Sequence, residues 1–196
     1  YHREKNGRAQ RYVSAYRTYS LAAPFTERML QLACDGGCVG QITTNAFLKR
    51  EFGRALIESV LVHHDLNKVV DTSGAYLPGH GYPTILLFVR RQAPVADEVP
   101  VVMGKRGEPA KPDDPATGRV WRSIVEGHQT VGYETEFVSV GLVKRTVLAK
   151  HPWSIGGGGA ADLKLFLEGG KPQLGTEADL GYHVITGEDN VLLGPR

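Results

Sequence analysis

Two segments with β-branched residues, LNKVVD (residues 66–71) and TILLFVRR (residues 84–91), are joined by one long loop, SGAYLPGHGYPT (residues 73–84). Parallel neighbouring strands need a crossover connection, usually a helix, and a loop this rich in glycine and proline does not provide one. The two strands are therefore predicted to run antiparallel. A hairpin needs only about two to five connecting residues, so a longer loop that carries several flat rings suggests a further role.

The residues before these strands alternate between helical and extended patterns. PFTERMLQLACDGG has Phe25, Met29 and Leu32 at helical spacing and ends at two glycines. CVGQITT is a short strand pattern, and NAFLKREFGRALIESVLV returns to the helical period with Asn45 as the predicted N-cap. The order helix, strand, helix, strand, loop, strand predicts an α/β fold, half of an open sheet.

After Arg91 the sequence becomes rich in proline and charge, which is typical of connectors. VPVVM predicts a short strand, RVWRSIVEG a short helix, and EFVSVGLVKRTVL a strand or strand pair. IGGGG resembles a phosphate-cradling loop, but the lysine and hydroxyl that complete a P-loop are missing, which favours a flexible hinge. The expected organisation is residues 1–95 as one domain part, 96–150 as a connector, and 151–196 as a hinge with the start of another module.

The charge of the chain is nearly balanced, with 23 Lys and Arg against 21 Asp and Glu and a net charge of +2. Cationic pairs nevertheless recur along it, so local basic patches can contact an anionic partner without a strongly basic total. The pairs are Lys49–Arg50, Arg90–Arg91, Lys105–Arg106 and Lys144–Arg145.

The two cysteines, Cys34 and Cys38, lie in CDGGC. They form either a metal or redox pair, with His63 and His64 as further ligands, or a turn with two small apolar residues. A second matching ligand pair is missing, which favours the turn and no metal. Reduced cysteines, no apolar segment of spanning length and no signal peptide predict a cytoplasmic protein that does not enter a membrane.

Ligands of open α/β sheets bind at the carboxyl ends of the strands. Thr44 and Asn45 end one predicted strand, and Asp71 and Ser73 leave another, so these side chains and the rings of the loop are expected to meet at one rim. A hydrolase could use Ser73 and Asp71 with His80. The sharp G-x-S-x-G elbow of such enzymes is missing, however, and Asp71 and Ser73 are too close in sequence to flank a histidine easily.

The rings of Tyr76 and Tyr82 suggest a different ligand. Enzymes that act on a base within a duplex extrude it into a pocket where flat side chains replace the lost stacking. The same two rings are equally suited to packing as a lid over the sheet. The spacing alone leaves both interpretations open.

A family resemblance favours the nucleobase. The segment from PFTERMLQLACDGGCVGQITTNAF through DTSGAYLPGHGYPTILLFVRR resembles the second half of the catalytic domain in adenine-specific DNA methyltransferases of the large single-chain restriction-modification type. With TNAFLKREFG, GKRGEP, VWRSI and HPWSIGGGGAADLK, the chain is similar to the methyltransferases of phage-growth-limitation (BREX-type) systems. SGAYLPGHG is the most specific of these strings.

The resemblance implies the C-terminal half of a Rossmann-like S-adenosylmethionine-dependent methyltransferase domain with an antiparallel edge strand, followed by the start of a target-recognition region. The implied activity is methyl transfer from S-adenosylmethionine to the exocyclic amine of adenine in double-stranded DNA, in restriction-modification or phage defence with other defence proteins. The family's glycine-rich cofactor loop and N-P-P-Y motif do not occur here. The chain is thus expected to be a downstream fragment that does not bind the cofactor alone. The alternative is a DNA-binding or assembly module without transferase activity.

The resemblance also implies roles for individual residues. It places Tyr76, Leu77, His80 and Tyr82 in one wall of the base pocket, and Phe25 either beside the cofactor or in the core. A set of basic residues is assigned to the DNA backbone: Lys49, Arg50, Arg54, Lys144 and Arg145. For Lys49, Arg50 and Arg54, a solvated helix face is the open alternative.

Overall fold

The computed structural model describes residues 12–79 and 81–158, together with isolated residues further on (163, 166, 167, 169, 170, 172, 176 and 178). His80 lies outside the described residues. The chain divides into two compact units, Tyr1–Ala161 and Asp162–Arg196. Bounded helices and strands are described only in the first unit. No helix among the described residues is long and apolar enough to cross a membrane.

The first unit alternates helices and strands along the chain. They are α1 (Ala22–Leu32), β1 (Cys38–Thr44), α2 (Gly53–Ser59), β2 (Asp65–Asp71), β3 (Thr84–Arg90), β4 (Glu98–Gly104), α3 (Arg119–Gly127), β5 (Val138–Lys144) and α4 (Arg145–Leu148). Single 3-10 turns occupy Asn45–Leu48, Leu61–His63 and Pro115–Thr117. The predicted α/β class is confirmed.

The five strands form one mixed sheet in the order β1-β3-β2-β4-β5. β3 runs antiparallel to both β1 and β2, so the predicted antiparallel pairing of β2 with β3 is confirmed. β2 and β4 are parallel, with Val69 opposite Val101, and β5 is antiparallel to β4. Within the described sheet, β3 is internal, and both edge strands, β1 and β5, run antiparallel to their neighbours.

The region from 96 to 150 contributes more than a connector. It supplies β4 and β5, which extend the same sheet across position 95. EFVSVGLVKRTVL divides into β5 and the short helix α4. Trp153 is buried, stacks edge-on against Phe47 at 5.9 Å between ring centroids, and donates from its indole nitrogen to the Leu148 carbonyl at 2.8 Å. The residues just before the glycine run therefore belong to the core.

Two hydrophobic clusters cover opposite faces of the sheet. Successive residues of a strand point to opposite faces, so Val69 packs in one cluster and Val70 in the other. The larger cluster lies beneath α1, α2 and the Trp153 segment. The smaller one lies beneath α3. The architecture is a sheet between two helical layers.

Two of the three apolar residues at helical spacing in α1 face solvent. Phe25 and Leu32 are 60% and 67% exposed, while Leu30 and Glu27 are buried. The Glu27 carboxylate accepts hydrogen bonds from the Ser14 amide at 2.9 Å and the Ser14 hydroxyl at 2.6 Å. Because these bonds compensate the burial of the charge, the helix turns Glu27 inward while Phe25 and Leu32 face outward.

The single helix predicted after β1 is interrupted. Thr44, not Asn45, caps the first turn, since its hydroxyl accepts from the Ala46 amide. A Cβ atom at Gly53 would lie 1.8 Å from the Phe47 carbonyl oxygen, so the chain makes a tight turn there that only glycine allows. α2 begins at Gly53, and Lys49 and Arg50 before it are exposed while Phe52 is buried.

A largely buried ion pair links the start of β2 to the end of β5 across β4. Asp65 accepts from Arg145 at 2.9 Å, and their side chains are 6% and 18% exposed. Arg145 also donates to the Ala96 carbonyl at 2.7 Å. The side-chain amides of Asn67 and Gln92 donate hydrogen bonds to the other oxygen of the same carboxylate. Arg145, assigned above to the DNA backbone, is engaged within the fold.

Replacing Arg145 by alanine is expected to lower the free energy of unfolding. Removing one partner of a fully buried pair costs about 3 to 5 kcal/mol, and the residual exposure of Arg145 reduces the expected loss to about 2 to 3 kcal/mol. Urea unfolding followed by circular dichroism measures it. Lys144→Ala is the matched control, with a change below about 0.5 kcal/mol because Lys144 is exposed. Equal losses in the two variants would contradict the role of Arg145.

Candidate functional site

The carboxyl ends of three strands meet at one rim of the sheet. β1, β2 and β4 run in the same direction, and Thr44 lies opposite Thr84 while Asp71 lies opposite Ile85. Gly104 ends β4 at the same rim. The structure thus brings the ends of β1 and β2 together, as the sequence predicted.

Both ends of the ring-bearing loop (residues 73–83) are held at this rim. The Thr72 amide donates to the Thr84 carbonyl at 3.1 Å, and the two threonine hydroxyls lie 2.8 Å apart. On the other side, the Asn45 amide donates to the Pro83 carbonyl at 3.0 Å. The residue just before Pro83 is therefore placed next to the end of β1.

Tyr82 projects from this position into a cavity of about 720 Å³. Its side chain is 76% exposed, so it does not pack as a lid over the sheet. The cavity has a size that suits a small organic ligand. The lining combines aromatic rings with cations and hydroxyls, and includes Arg17, Ser20, Thr44, Arg50, Phe52 and Tyr82.

Tyr76 and Leu77 do not line this cavity. The Tyr76 ring lies under the Lys111 ammonium, 5.4 Å from the ring centroid, in a cation–π contact. Both residues are half-buried. The two tyrosines of the loop therefore have different surroundings, and Tyr82 is the one that lines the cavity.

The segment 16–20 contributes to the cavity and was missed by sequence reasoning. Glu27 fixes this segment through its bonds to Ser14. Arg17 has a φ of 53°, a conformation that residues other than glycine rarely adopt. The interleaving of tyrosines and arginines in RYVSAYRTYS was the available signal, because rings and cations together favour nucleic-acid ligands.

The basic residues assigned to DNA divide between opposite ends of the sheet. Arg50 lines the cavity, Lys49 is exposed beside it, and Arg54 pairs with Glu51 at 3.5 Å. Lys144 lies opposite Glu98 at the other end of the sheet, next to Arg145. The structure does not bring these two groups together.

The alternative chemistries have little geometric support in the described residues. The Asp71 carboxylate accepts from the Ser73 backbone amide at 2.9 Å, which makes a local turn. Cys34 and Cys38 are free and exposed, and the Gly37 amide donates to the Cys34 carbonyl in a turn. No group of three potential metal ligands occurs in the part of the chain that the structure describes.

The segment after β4 is hydrogen-bonded to the ring-bearing loop. The Glu108 amide donates to the Gly74 carbonyl at 2.9 Å, and the Glu108 carboxylate accepts from the Val120 amide at the start of α3. Lys105 donates to Glu134 at 2.7 Å. The hydrogen bond and charge of Lys105 lower the pKa of Glu134 from its ordinary value of 4.5.

The Lys105–Glu134 contact predicts a specific titration. A carboxylate whose pKa is lowered by folding adds stability above its unfolded pKa and loses it as the pH falls through the folded pKa. We expect Lys105→Met to raise the Glu134 midpoint toward 4.5, measured by carbon-detected NMR. Lys150→Met is the control and leaves the midpoint unchanged. An unmoved midpoint in Lys105→Met would contradict the assigned cause.

Two solved structures share part of this architecture. The type IIG restriction endonuclease BpuSI superposes with a TM-score of 0.48 and 14% identity, over 71% of this chain and 16% of that one. A modification subunit of a putative type I restriction enzyme from Vibrio vulnificus YJ016 superposes with a TM-score of 0.45 and 16% identity, over 68% of this chain and 32% of that one.

Sequence comparison gives a closer relationship. Residues 1–77 match the family model described as Eco57I restriction-modification methylase. The chain is 38% identical over 189 residues to Adenine-specific methyltransferase PglX of Streptomyces coelicolor, across 89% of this chain and 15% of that protein. The chain is thus similar to the restriction-modification methylases and aligns with a segment that makes up 15% of the Streptomyces coelicolor protein.

Proposed function

We propose that this chain is the DNA-facing segment of a larger enzyme that transfers a methyl group from S-adenosylmethionine to the exocyclic amine of adenine in double-stranded DNA. The similarity to an adenine-specific methyltransferase supports the reaction. The observation that carries the proposal is the open cavity at the carboxyl rim of the sheet, where the ring of Tyr82 stands beside Arg17 and Arg50, neither of which has a carboxylate partner among the described residues. A ring and cations together suit an unstacked nucleotide.

Within this proposal, Tyr82 stacks on the extruded base. The family resemblance adds Tyr76, Leu77 and His80 to the wall of the base pocket. Because Tyr76 and Leu77 lie outside the cavity, we propose that they act by supporting the loop that carries Tyr82. Lys49, Arg50 and Arg54 contact the DNA backbone near the cavity. Lys144 would meet a separate stretch of backbone at the other end of the sheet, and Arg145 acts through the fold rather than through DNA.

The described residues do not fit the methyl donor. The Gly36 amide donates to the Arg91 carbonyl and the Gly157 amide to the Gly104 carbonyl, so two glycine amides that a cofactor loop would present are already used. We therefore assign S-adenosylmethionine to a part of the enzyme outside this segment. The exposed ring of Phe25 is proposed to border that part.

The proposed DNA substrate implies where the enzyme works and which kinds of protein it works with. An enzyme that methylates cellular DNA works in the cytoplasm of a bacterium, and a role in restriction-modification or phage defence implies further defence proteins as partners. The residues from 151 onward are proposed to lead into the target-recognition region. The second candidate function, a DNA-binding or assembly module without transferase activity, shares the cavity and the cations but not the methyl transfer.

Tyr82→Ala in the full-length protein is expected to lower adenine methylation about tenfold or more, because base stacking contributes about 1 to 3 kcal/mol. Mass spectrometry of digested DNA measures the N6-methyladenine formed. Since Tyr82 is exposed, the melting temperature is expected to change little. Tyr82→Phe keeps the ring and is the matched control.

The outcomes separate the candidate functions. Absence of methylation by the wild-type full-length protein, with DNA binding retained, would favour the module without transferase activity. Equal loss of activity and melting temperature in Tyr82→Ala would mean that the ring supports the fold. The same experiment on Tyr76→Ala tests whether its ring, beneath Lys111, also contacts the base.

A second expectation concerns the chain alone. Calorimetric titration of the 196-residue chain with S-adenosylmethionine is expected to show no saturable binding. Binding with a Kd of about a micromolar would mean that GGCVG or IGGGG supplies the methyl-donor site, contrary to the hydrogen bonds that their glycines make.

A further inference from the structure

The cavity beside Tyr82 has an unbalanced charge. Arg17 and Arg50 both line it, and neither guanidinium has a carboxylate partner among the described residues. The carboxylate of Glu51, which also lines the cavity, is paired with Arg54 at 3.5 Å. Elsewhere in the chain, several arginines face a carboxylate directly: Arg91, Arg106, Arg122 and Arg145.

Arg17 is held in place at an energetic cost. Its φ of 53° is unfavourable for a residue with a side chain, and such conformations persist where the surrounding structure enforces them, often at functional sites. The enforcement comes from the buried bonds of Glu27 to Ser14 three residues earlier. The Arg17 Nε donates to the Tyr16 hydroxyl at 3.1 Å, which orients the guanidinium.

Arg50 is fixed by the turn that interrupts the helical segment. Its carbonyl accepts from the Gly53 amide at 2.8 Å, and Gly53 packs against the backbone of Phe47. This turn carries Arg50 outward to the cavity instead of along a helix face. Two arginines from distant parts of the sequence are thus positioned at one cavity by separate structural constraints.

We propose that Arg17 and Arg50 together bind one phosphodiester group of the DNA strand, next to the nucleotide that stacks on Tyr82. This inference rests on the proposed function, which already assigns Arg50 to the DNA backbone, and adds Arg17 and the single phosphate that the two guanidinium groups share. Guanidinium groups form paired, charge-assisted hydrogen bonds with phosphate oxygens. Two such groups without a counterion repel each other, and a shared phosphate removes that repulsion while the base lies against the ring.

The test measures binding of the 196-residue chain to a fluorescein-labelled single-stranded oligonucleotide and to its duplex, by anisotropy over a range of NaCl concentrations. Arg17→Gln and Arg50→Gln are each expected to weaken binding about fivefold to tenfold at low salt. The double variant is expected to bind little worse than either single variant. Its salt slope should fall by about 0.7 to 0.9, the value for one phosphate.

A matched control and a second substitution at position 17 separate binding from folding. Arg122→Gln removes an exposed arginine that pairs with Glu126 on α3, away from the cavity, and is expected to leave binding unchanged. Arg17→Gly suits the left-handed backbone. We expect it to melt at least as high as the wild type and yet bind as weakly as Arg17→Gln, a combination that a purely structural role would not produce.

Several results would overturn the proposal. If the losses in DNA affinity of the two single variants multiply in the double variant, and its salt slope changes by the value for two phosphates, the two arginines make independent contacts. If Arg17→Gly binds DNA as tightly as the wild type, or if the wild-type chain does not bind DNA, the proposed phosphate site is ruled out. If neither substitution changes methylation by the full-length protein, only the phosphate site is contradicted. If the full-length protein does not methylate DNA but the binding effects are observed, only the proposed reaction is contradicted.

Discussion

The hydrogen bonds of β3 to both β1 and β2 determine where the ring-bearing loop and Tyr82 lie. Because β3 is inserted between two strands that run the opposite way, the loop before it must return to the rim where both of those strands end. Pro83 is anchored to Asn45 and Thr84 to Thr72, so Tyr82 has little freedom to lie elsewhere. A shift of one residue in this register would send alternate side chains of β3 to the wrong face of the sheet.

Arginine has a structural role at one end of the sheet and a proposed ligand-binding role at the other. Arg145 is largely buried, and its pairing with Asp65 compensates the desolvation of both charges. Arg17 and Arg50 are exposed and lack such a partner among the described residues, so their charge remains available to a ligand. Burial and pairing, not the identity of the side chain, therefore separate an arginine that stabilises the fold from one suited to DNA.

The outward face of α1 is consistent with a chain that corresponds to 15% of its relative's length. Leu21, Phe25 and Leu32 lie on one side of the helix and are all exposed. A helical period in the sequence shows that apolar residues share a face, but does not say which protein surface covers that face. The inward face is specified by the Glu27–Ser14 bonds, which link positions thirteen residues apart and leave no periodic signal in the sequence.

The sequence by itself determined the elements and one key direction. Local patterns predicted α1, the five strands and α3, and the loop without a crossover helix required β2 and β3 to be antiparallel. The quoted motifs also carried the family resemblance. These features depend on residues near one another in the chain, which is why local reasoning could reach them.

Only the tertiary structure decided which groups share a site. It joined β4 and β5 to the same sheet, buried Trp153 ahead of the glycine run, and broke the second helix where Gly53 meets Phe47. It also separated Tyr76 from the cavity of Tyr82 and brought Arg17 to Arg50 across that cavity. Such outcomes depend on close packing and charge pairing between distant segments, and no local pattern in the sequence encodes them.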